Sequence, residues 1–231
     1  MIAINEFSSK TALDSTFAEQ VAQLLTSAIN KKGRASIAVS GGSTPKGFFA
    51  ALSQKDIAWH KVTITLADER WVDEDSVASN TRLVKENLLQ NKATQAQFFE
   101  LKIAEQLNVA ALKQLNQQAK EQVLPFDVLI LGMGEDGHTA SLFPCSDEIN
   151  TALSIENSNA VMSVQPKTAP HLRITFTLAA LLKSSAIFLH ICGKNKQQVL
   201  QQALASDDIL AMPIRAFLHD KNSTTKVMFA Q

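Results

Sequence analysis

Ser36-Ile37-Ala38-Val39-Ser40 is a short apolar run rich in β-branched residues, and it stops abruptly at Gly41-Gly42-Ser43-Thr44-Pro45 before a helical stretch from Lys46 to Leu52. This predicts a strand, a glycine loop and a helix in direct succession. Val62-Thr63-Ile64-Thr65-Leu66-Ala67 then supplies a second apolar strand, which passes into the charged Asp68-Glu69-Arg70 and a polar loop. Two strands joined through a helix pair in parallel, because the crossover returns the chain to the same end of the sheet. A parallel sheet must be covered on both faces, and that constraint shapes every other expectation for this chain.

The remaining pattern agrees with it. Leu13, Phe17, Val21, Leu24, Leu25 and Ala28 recur at helical spacing, ended by Lys31-Lys32-Gly33. A helix restarts after Ser79, and another runs from Leu107 to Lys120 with Leu107, Ala111, Leu115 and Ala119 on one face. Beyond Pro125, Phe126 to Leu131 reads as a buried strand, followed by strands at Val161–Val164 and Ala186–Ile191. Gly193-Lys194 opens a helix around Val199, Leu200, Ala203 and Leu204, and Lys226 to Phe229 reads as a last, edge strand. The expected fold is α/β: a mostly parallel, Rossmann-like doubly wound sheet with helices on both faces, in one domain over residues 1–231.

Composition narrows the function classes. Lys+Arg and Asp+Glu are equal at 22 each, so no global field draws the chain to nucleic acid or to an anionic membrane. Any anion it binds must be held locally. Cys145 and Cys192 are too few for a disulfide framework, and no C-x-x-C spacing points to zinc or to dithiol redox chemistry. The N-terminus has no basic segment followed by a long apolar one, and no apolar run approaches the roughly 20 residues of a membrane span. A cytoplasmic protein is expected.

In open parallel sheets ligands bind beyond the carboxyl ends of the strands, where loops converge and helix N-termini point their amides. Four strand ends here carry polar or glycine-rich loops: Ser40 to Pro45, Asp68 to Arg70, Gly132 to His138, and Gly193-Lys194. The first reads either as a phosphate cradle, with Gly41 and Gly42 admitting an anion and Ser40, Ser43 and Thr44 donating hydroxyls, or as a capped strand-to-helix turn. It lacks the spacing of a nucleotide P-loop, and Pro45 stands where G-x-S-x-G needs its second glycine. In the second loop Arg70 offers a guanidinium for phosphate or for a developing oxyanion; the alternative is a solvated charged turn. In the third, Asp136 and His138 stand two apart among glycines, the pattern of a general base with an orienting carboxylate, against a structural histidine or a metal ligand. Arg173, after Pro170, and Lys194 are the further cations placed to meet a phosphate. His60, His171, His190 and His219 have no such surroundings, and His190 lies inside an apolar run, as a core histidine does.

Ser40-Gly41-Gly42-Ser43-Thr44-Pro45-Lys46, Asp68-Glu69-Arg70-Trp71-Val72 with Ser79-Asn80, Gly132-Met133-Gly134-Glu135-Asp136-Gly137-His138-Thr139-Ala140-Ser141-Leu142-Phe143-Pro144, and Arg173-Ile174-Thr175 together resemble the 6-phosphogluconolactonase family. The resemblance runs in the same order from Ser40 to Lys194. It implies hydrolysis of 6-phospho-D-glucono-1,5-lactone to 6-phosphogluconate in the oxidative pentose phosphate pathway, by a carboxylic ester hydrolase without metal or organic cofactor. His138 would be the general base, and Asp136 would orient the imidazole or substrate hydroxyls. Arg70, Arg173 and Lys194, with Gly42, Ser43 and Thr44, would hold phosphate or neighbouring oxygens, and Asp68 would line the pocket. The family commonly has glycine where this chain has Cys145, which reads as a spectator because no cationic neighbour adjoins it in sequence.

The related glucosamine-6-phosphate deaminase/isomerase family shares the fold and the glycine loop. Its pattern has Asp-Glu-Tyr where this chain has Asp68-Glu69-Arg70, and a glutamate five residues after the histidine where this chain has Phe143. Phe143 cannot supply the carboxylate that ring opening needs, so the lactonase is the preferred expectation. A non-catalytic sugar-phosphate-binding module is the third reading. The sequence leaves monomer and homodimer both open.

Overall fold

The inner strands of the parallel sheet form from short, largely apolar, buried runs, and the strand order fixes where a ligand can sit. The structure is a computed structural model that describes residues 2–222 and 225–231; Met1, at the head of the N-terminal stretch read above, lies outside the described residues. Its strands are β1 (Ala3–Phe7), β2 (Ala35–Val39), β3 (Val62–Leu66), β4 (Asp68–Arg70), β5 (Gln97–Phe99), β6 (Val128–Leu131), β7 (Val161–Val164), β8 (Arg173–Phe176), β9 (Ala186–Cys192) and β10 (Lys226–Ala230). The helices are α1 (Lys10–Lys32), α2 (Lys46–Ser53), α3 (Asn80–Asn87), α4 (Val109–Gln122), α5 (Ile149–Ala152), α6 (Leu178–Leu181), α7 (Lys194–Leu204) and α8 (Arg215–Leu218).

Seven strands make the main sheet in the order β1-β10-β9-β6-β2-β3-β5, and every pairing in it is parallel. From β2 the chain builds outward through β3 and β5; from β6 it builds the other way through β9 and β10. The order therefore reverses between β2 and β6, and a crevice opens beyond their carboxyl ends. Helices flank this sheet on both faces, the doubly wound arrangement expected. α1 begins at Ser9, whose side chain accepts from the Ala12 N–H, and stops at Gly33 in the left-handed region at φ 79°. Its apolar stripe, Leu13, Phe17, Val21 and Leu25, is fully buried. Phe17 stacks on Phe48 of α2 at 4.6 Å and meets Phe188 of β9 at 5.0 Å. Burying each such ring is worth about 1.5–3 kcal/mol, so this junction locks α1 and α2 to the sheet just below the glycine loop.

Three expectations are corrected. Asp68-Glu69-Arg70 is not a charged turn but strand β4 of a second sheet, ordered β4-β8-β7 and antiparallel throughout, to which Val161–Val164 also belongs. The chain leaves the parallel sheet at Ala67, whose N–H still bonds Val39 while its carbonyl already accepts from Phe176. Lys226–Ala230 is not at an edge: β1 pairs outside it, with Ala3 to Glu6 exposed on that rim. Helix α4 starts at Val109 rather than Leu107, because the Asn108 side chain caps it by accepting from the Ala111 N–H. Among the described residues no helix is long and apolar enough to cross a membrane.

Candidate active site

The loops after β2 and β6 meet at the switch point and are tied there by Ser40. Its hydroxyl donates to the Ile130 carbonyl at 3.0 Å and accepts from the Gly132 N–H at 3.1 Å. Ser40 is thus a strut between the two loops as well as a wall of the cavity. Gly42 sits at φ 92°, open to glycine and strained for other residues. Gly41 must be glycine for a different reason: a Cβ there would lie 1.9 Å from the Asn80 side-chain oxygen. The loop leads into α2, whose N-terminus no side chain caps, leaving its first-turn amides available to an anion.

The second sheet supplies the cations. Register places Arg70 directly opposite Arg173 and Asp68 opposite Thr175. Because strand side chains alternate, Asp68, Arg70 and Arg173 share the face that looks onto the crevice, while Glu69 points away. Two guanidiniums side by side repel, and Arg173 shows it: burial, then the charge of Arg70, pull its pKa below the ordinary arginine value. The Nε atoms of Arg70 and Arg173 are buried without a hydrogen-bond partner among the described residues. Arg70 is steadied by donating to the Ala78 carbonyl at 2.6 Å, and Arg173 by donating to the Pro170 carbonyl at 3.1 Å. Such a like-charged pair is poised for an anion.

Opposite the arginines stands the third loop. His138 Nδ1 lies 2.5 Å from Asp136 Oδ1, which also accepts the His138 backbone N–H. Burial pushes the Asp136 carboxyl up, but the hydrogen bond and charge of His138 pull it further down, to a net value below the usual range. An ionised Asp136 therefore holds Nδ1 and leaves Nε2 as the ring's free nitrogen. Phe143 stacks on the imidazole at 4.1 Å between centroids, and the Arg173 guanidinium lies over the Phe143 ring, 5.6 Å from its centroid. Gly134 makes room for the dyad: a Cβ there would be 2.1 Å from His138 Nδ1. Gly137 turns at φ 74° against Met212.

These groups line a cavity of about 180 Å³ that takes in Ser40, Gly41, Gly42, Asp68, Arg70, His138 and Arg173. A second cavity of about 220 Å³ shares Ser40, Gly41, Gly42, Gly132 and Met133 with it and extends to Ser43, Thr44, His190 and Lys196. Asp68 is oriented by Ser141, whose hydroxyl donates to it at 2.6 Å. Asp136 acts from behind His138 rather than on the cavity wall. Lys194 likewise lines neither cavity: it is exposed at the start of α7, whereas Lys196, two residues on, lines the second. The helical repeat decides this, since residues two apart face different sides.

Sequence reading assigned no role to Asn80, Glu69 or Lys196. Asn80 donates to the Asp68 carbonyl at 3.1 Å and abuts Gly41. Its position just after the cap of α3 was the available signal. Cys145 is half-buried, as expected, with hydrogen-bonding neighbours that the sequence did not show. Burial raises its pKa, but the Thr168 hydroxyl at 3.2 Å and the backbone amides of Lys167 and Thr168 lower it more, so the net shift is downward. Those neighbours come from a distant loop, out of reach of a sequence reading. Among the described residues no group of three or more His, Cys, Asp and Glu side chains is arranged to hold a metal ion.

Comparison with known proteins gives a consistent result. Residues 8–227 match the family described as glucosamine-6-phosphate isomerases/6-phosphogluconolactonase. The 6-phosphogluconolactonase of Rhizobium meliloti (strain 1021) is 42% identical, over 97% of this chain and 97% of its own. That of Pseudomonas putida is 40% identical over 95% of this chain and 90% of its own. The crystal structure of a 6-phosphogluconolactonase from Shewanella baltica OS155 superposes with a TM-score of 0.96 at 44% identity, covering 100% of this chain and 98% of that one.

Proposed function

The chain belongs to the glucosamine-6-phosphate isomerase/6-phosphogluconolactonase family, and from that premise we propose that it hydrolyses 6-phospho-D-glucono-1,5-lactone to 6-phosphogluconate with His138 as general base. The observation that carries this reading is His138, oriented by a carboxylate, lining one cavity with two guanidiniums whose Nε atoms have no partner among the described residues, next to a second cavity that shares its glycine-loop wall. The glycine loop, the first turn of α2 and Lys196 hold the phosphate. That anchorage sets the lactone carbonyl among His138, Arg70 and Arg173. His138 Nε2 takes a proton from water as its oxygen bonds to C1, and the carbonyl oxygen gains the negative charge. Arg70, with Arg173 beside it, stabilises that oxyanion. Collapse re-forms the carbonyl and breaks the bond from C1 to the ring oxygen, which receives the proton from the imidazolium. The product carboxyl then loses its own proton to solvent.

The deaminase-type reading is disfavoured by the ring of Phe143, which occupies the face of His138 where that chemistry calls for a carboxylate. Two assays separate the readings. Phosphorylated lactone should yield acid faster than its spontaneous opening, and glucosamine 6-phosphate should yield no ammonia; ammonia release would reverse the assignment. Gly134→Ala is expected to fold and to lose about 10²-fold in kcat, because its methyl displaces the His138–Asp136 dyad, and misplacement of about 1 Å costs that much. Kinetics of the purified variant check this, and full activity would show that the dyad's geometry does not matter.

A further inference from the structure

His190 of β9 is 3% exposed and packs edge-on against Phe17 at 5.3 Å and Phe48 at 5.7 Å. Neither ring nitrogen has a hydrogen-bond partner among the described residues, and neither does Asp14 Oδ1, which lies 3.8 Å from Nε2. The other carboxylate oxygen of Asp14 is paired with Lys10 at 2.7 Å and pressed against α2, where a Cβ at Gly47 would sit 2.0 Å from it. This polar pair therefore underlies the first turn of α2, and His190 lines the same cavity as Gly42, Ser43, Thr44 and Lys196. Orphaned buried polar atoms destabilise a fold, and an aromatic cluster could have been completed by phenylalanine. We propose that His190, backed by Asp14, is a positioning residue for the phosphate end of the site, forming a polar floor beneath the Gly41–Pro45 loop that gains its hydrogen-bond partner when phosphate is bound. It acts through the loop and not on the reacting carbonyl. The charged groups around it are Lys10 and Asp14 of α1 and Lys196 of α7, with the Cys192 thiol two residues along its own strand. Burial and the charge of Lys10 lower its pKa to about 3, so it brings a neutral donor and acceptor and no charge.

This inference rests on the glycine loop being the phosphate cradle. The test is His190→Phe in the full chain, with inorganic phosphate and 6-phosphogluconate titrated by calorimetry and kinetics measured on the phosphorylated lactone. Expected are a melting temperature higher by ~2–4 °C, phosphate affinity weaker by about tenfold, the value of one hydrogen bond, and a matching rise in KM with the effect on kcat under about twofold. A more stable protein that binds phosphate more weakly is what a polar role predicts, and His190→Asn separates that role from steric filling of the cavity by the phenylalanine ring. His190→Asn, which keeps a donor and an acceptor, should recover part of the affinity and serves if the phenylalanine variant does not fold. A folded His190→Phe protein with wild-type phosphate affinity and KM overturns the inference alone; wild-type protein that fails to bind phosphate overturns the cradle and this inference with it.

Discussion

His138→Gln is expected to fold, to bind 6-phosphogluconate within a few-fold of wild type, and to turn over the phosphorylated lactone about 10³-fold more slowly. General-base catalysis is typically worth about 10²- to 10⁴-fold, and glutamine cannot accept the proton from water at neutral pH. The fold should survive because the imidazole is held at the cavity mouth by Asp136 and Phe143 and is not part of the core. Slight residual activity above the spontaneous rate is expected if Arg70, Arg173 and the phosphate contacts bind and polarise the lactone as proposed. Steady-state kinetics together with a melting curve check it. Wild-type kcat in a folded variant would remove His138 from the mechanism.

The largest effect on stability belongs to Glu69. Its buried carboxylate accepts from the Arg70 N–H at 2.6 Å, the Asn80 N–H at 2.9 Å, the Thr81 N–H at 2.6 Å and the Ser79 hydroxyl at 3.3 Å. It thus caps α3 with a negative charge at the positive end of the helix and ties that helix to β4. Glu69→Ala strands three buried amides at once and is expected to cost about 3–4 kcal/mol, since bonds to charged groups are worth about 1.5–3 kcal/mol each and water recovers part of the loss. For a chain of this size that is a fall in melting temperature of roughly 10 °C. Activity should fall as well, because β4 carries Arg70 and Asp68. A shift under about 2 °C would show that the carboxylate is not what holds α3 to the second sheet.

The parallel sheet was legible because its inner strands are buried on both faces, which gives β2, β3, β6 and β9 largely apolar runs ended by glycine or charge. Where a strand lacks two buried faces the signal fails. Ala3–Phe7 pairs only with β10 and is mostly exposed, so nothing in its residues marks it, and its absence from the reading made β10 look like an edge. In the second sheet Val161–Val164 was legible as a strand, but β4 and β8, of three and four residues, are too short for an alternation to register, and the sheet they form with β7 was not foreseen. Its pairing of Arg70 with Arg173 joins segments a hundred residues apart, which no local pattern encodes.

The site divides along the same line. Loops at the ends of parallel strands were readable, since Ser40 to Thr44, Asp136 and His138 stand where that sheet delivers them, whereas Asp68, Arg70 and Arg173 reach the cavity from the second sheet. Details set by helix phase or by contact between distant loops were not. Lys194 and Lys196 are equivalent cations in sequence, and only the rotation of α7 turns the second toward the glycine loop. Glu69 reads as one more exposed charge until β4 is seen to alternate, with Glu69 turned under α3 and its neighbours toward the cavity.

The central claim is tested most directly by generating 6-phospho-D-glucono-1,5-lactone in place and following its disappearance with wild type, with His138→Gln and with no protein. Wild type should accelerate the loss in proportion to its concentration, with His138→Gln close to the spontaneous rate at the same concentration. Equal rates in all three would contradict the lactonase assignment; equal acceleration by both proteins would keep the reaction and contradict the role of His138.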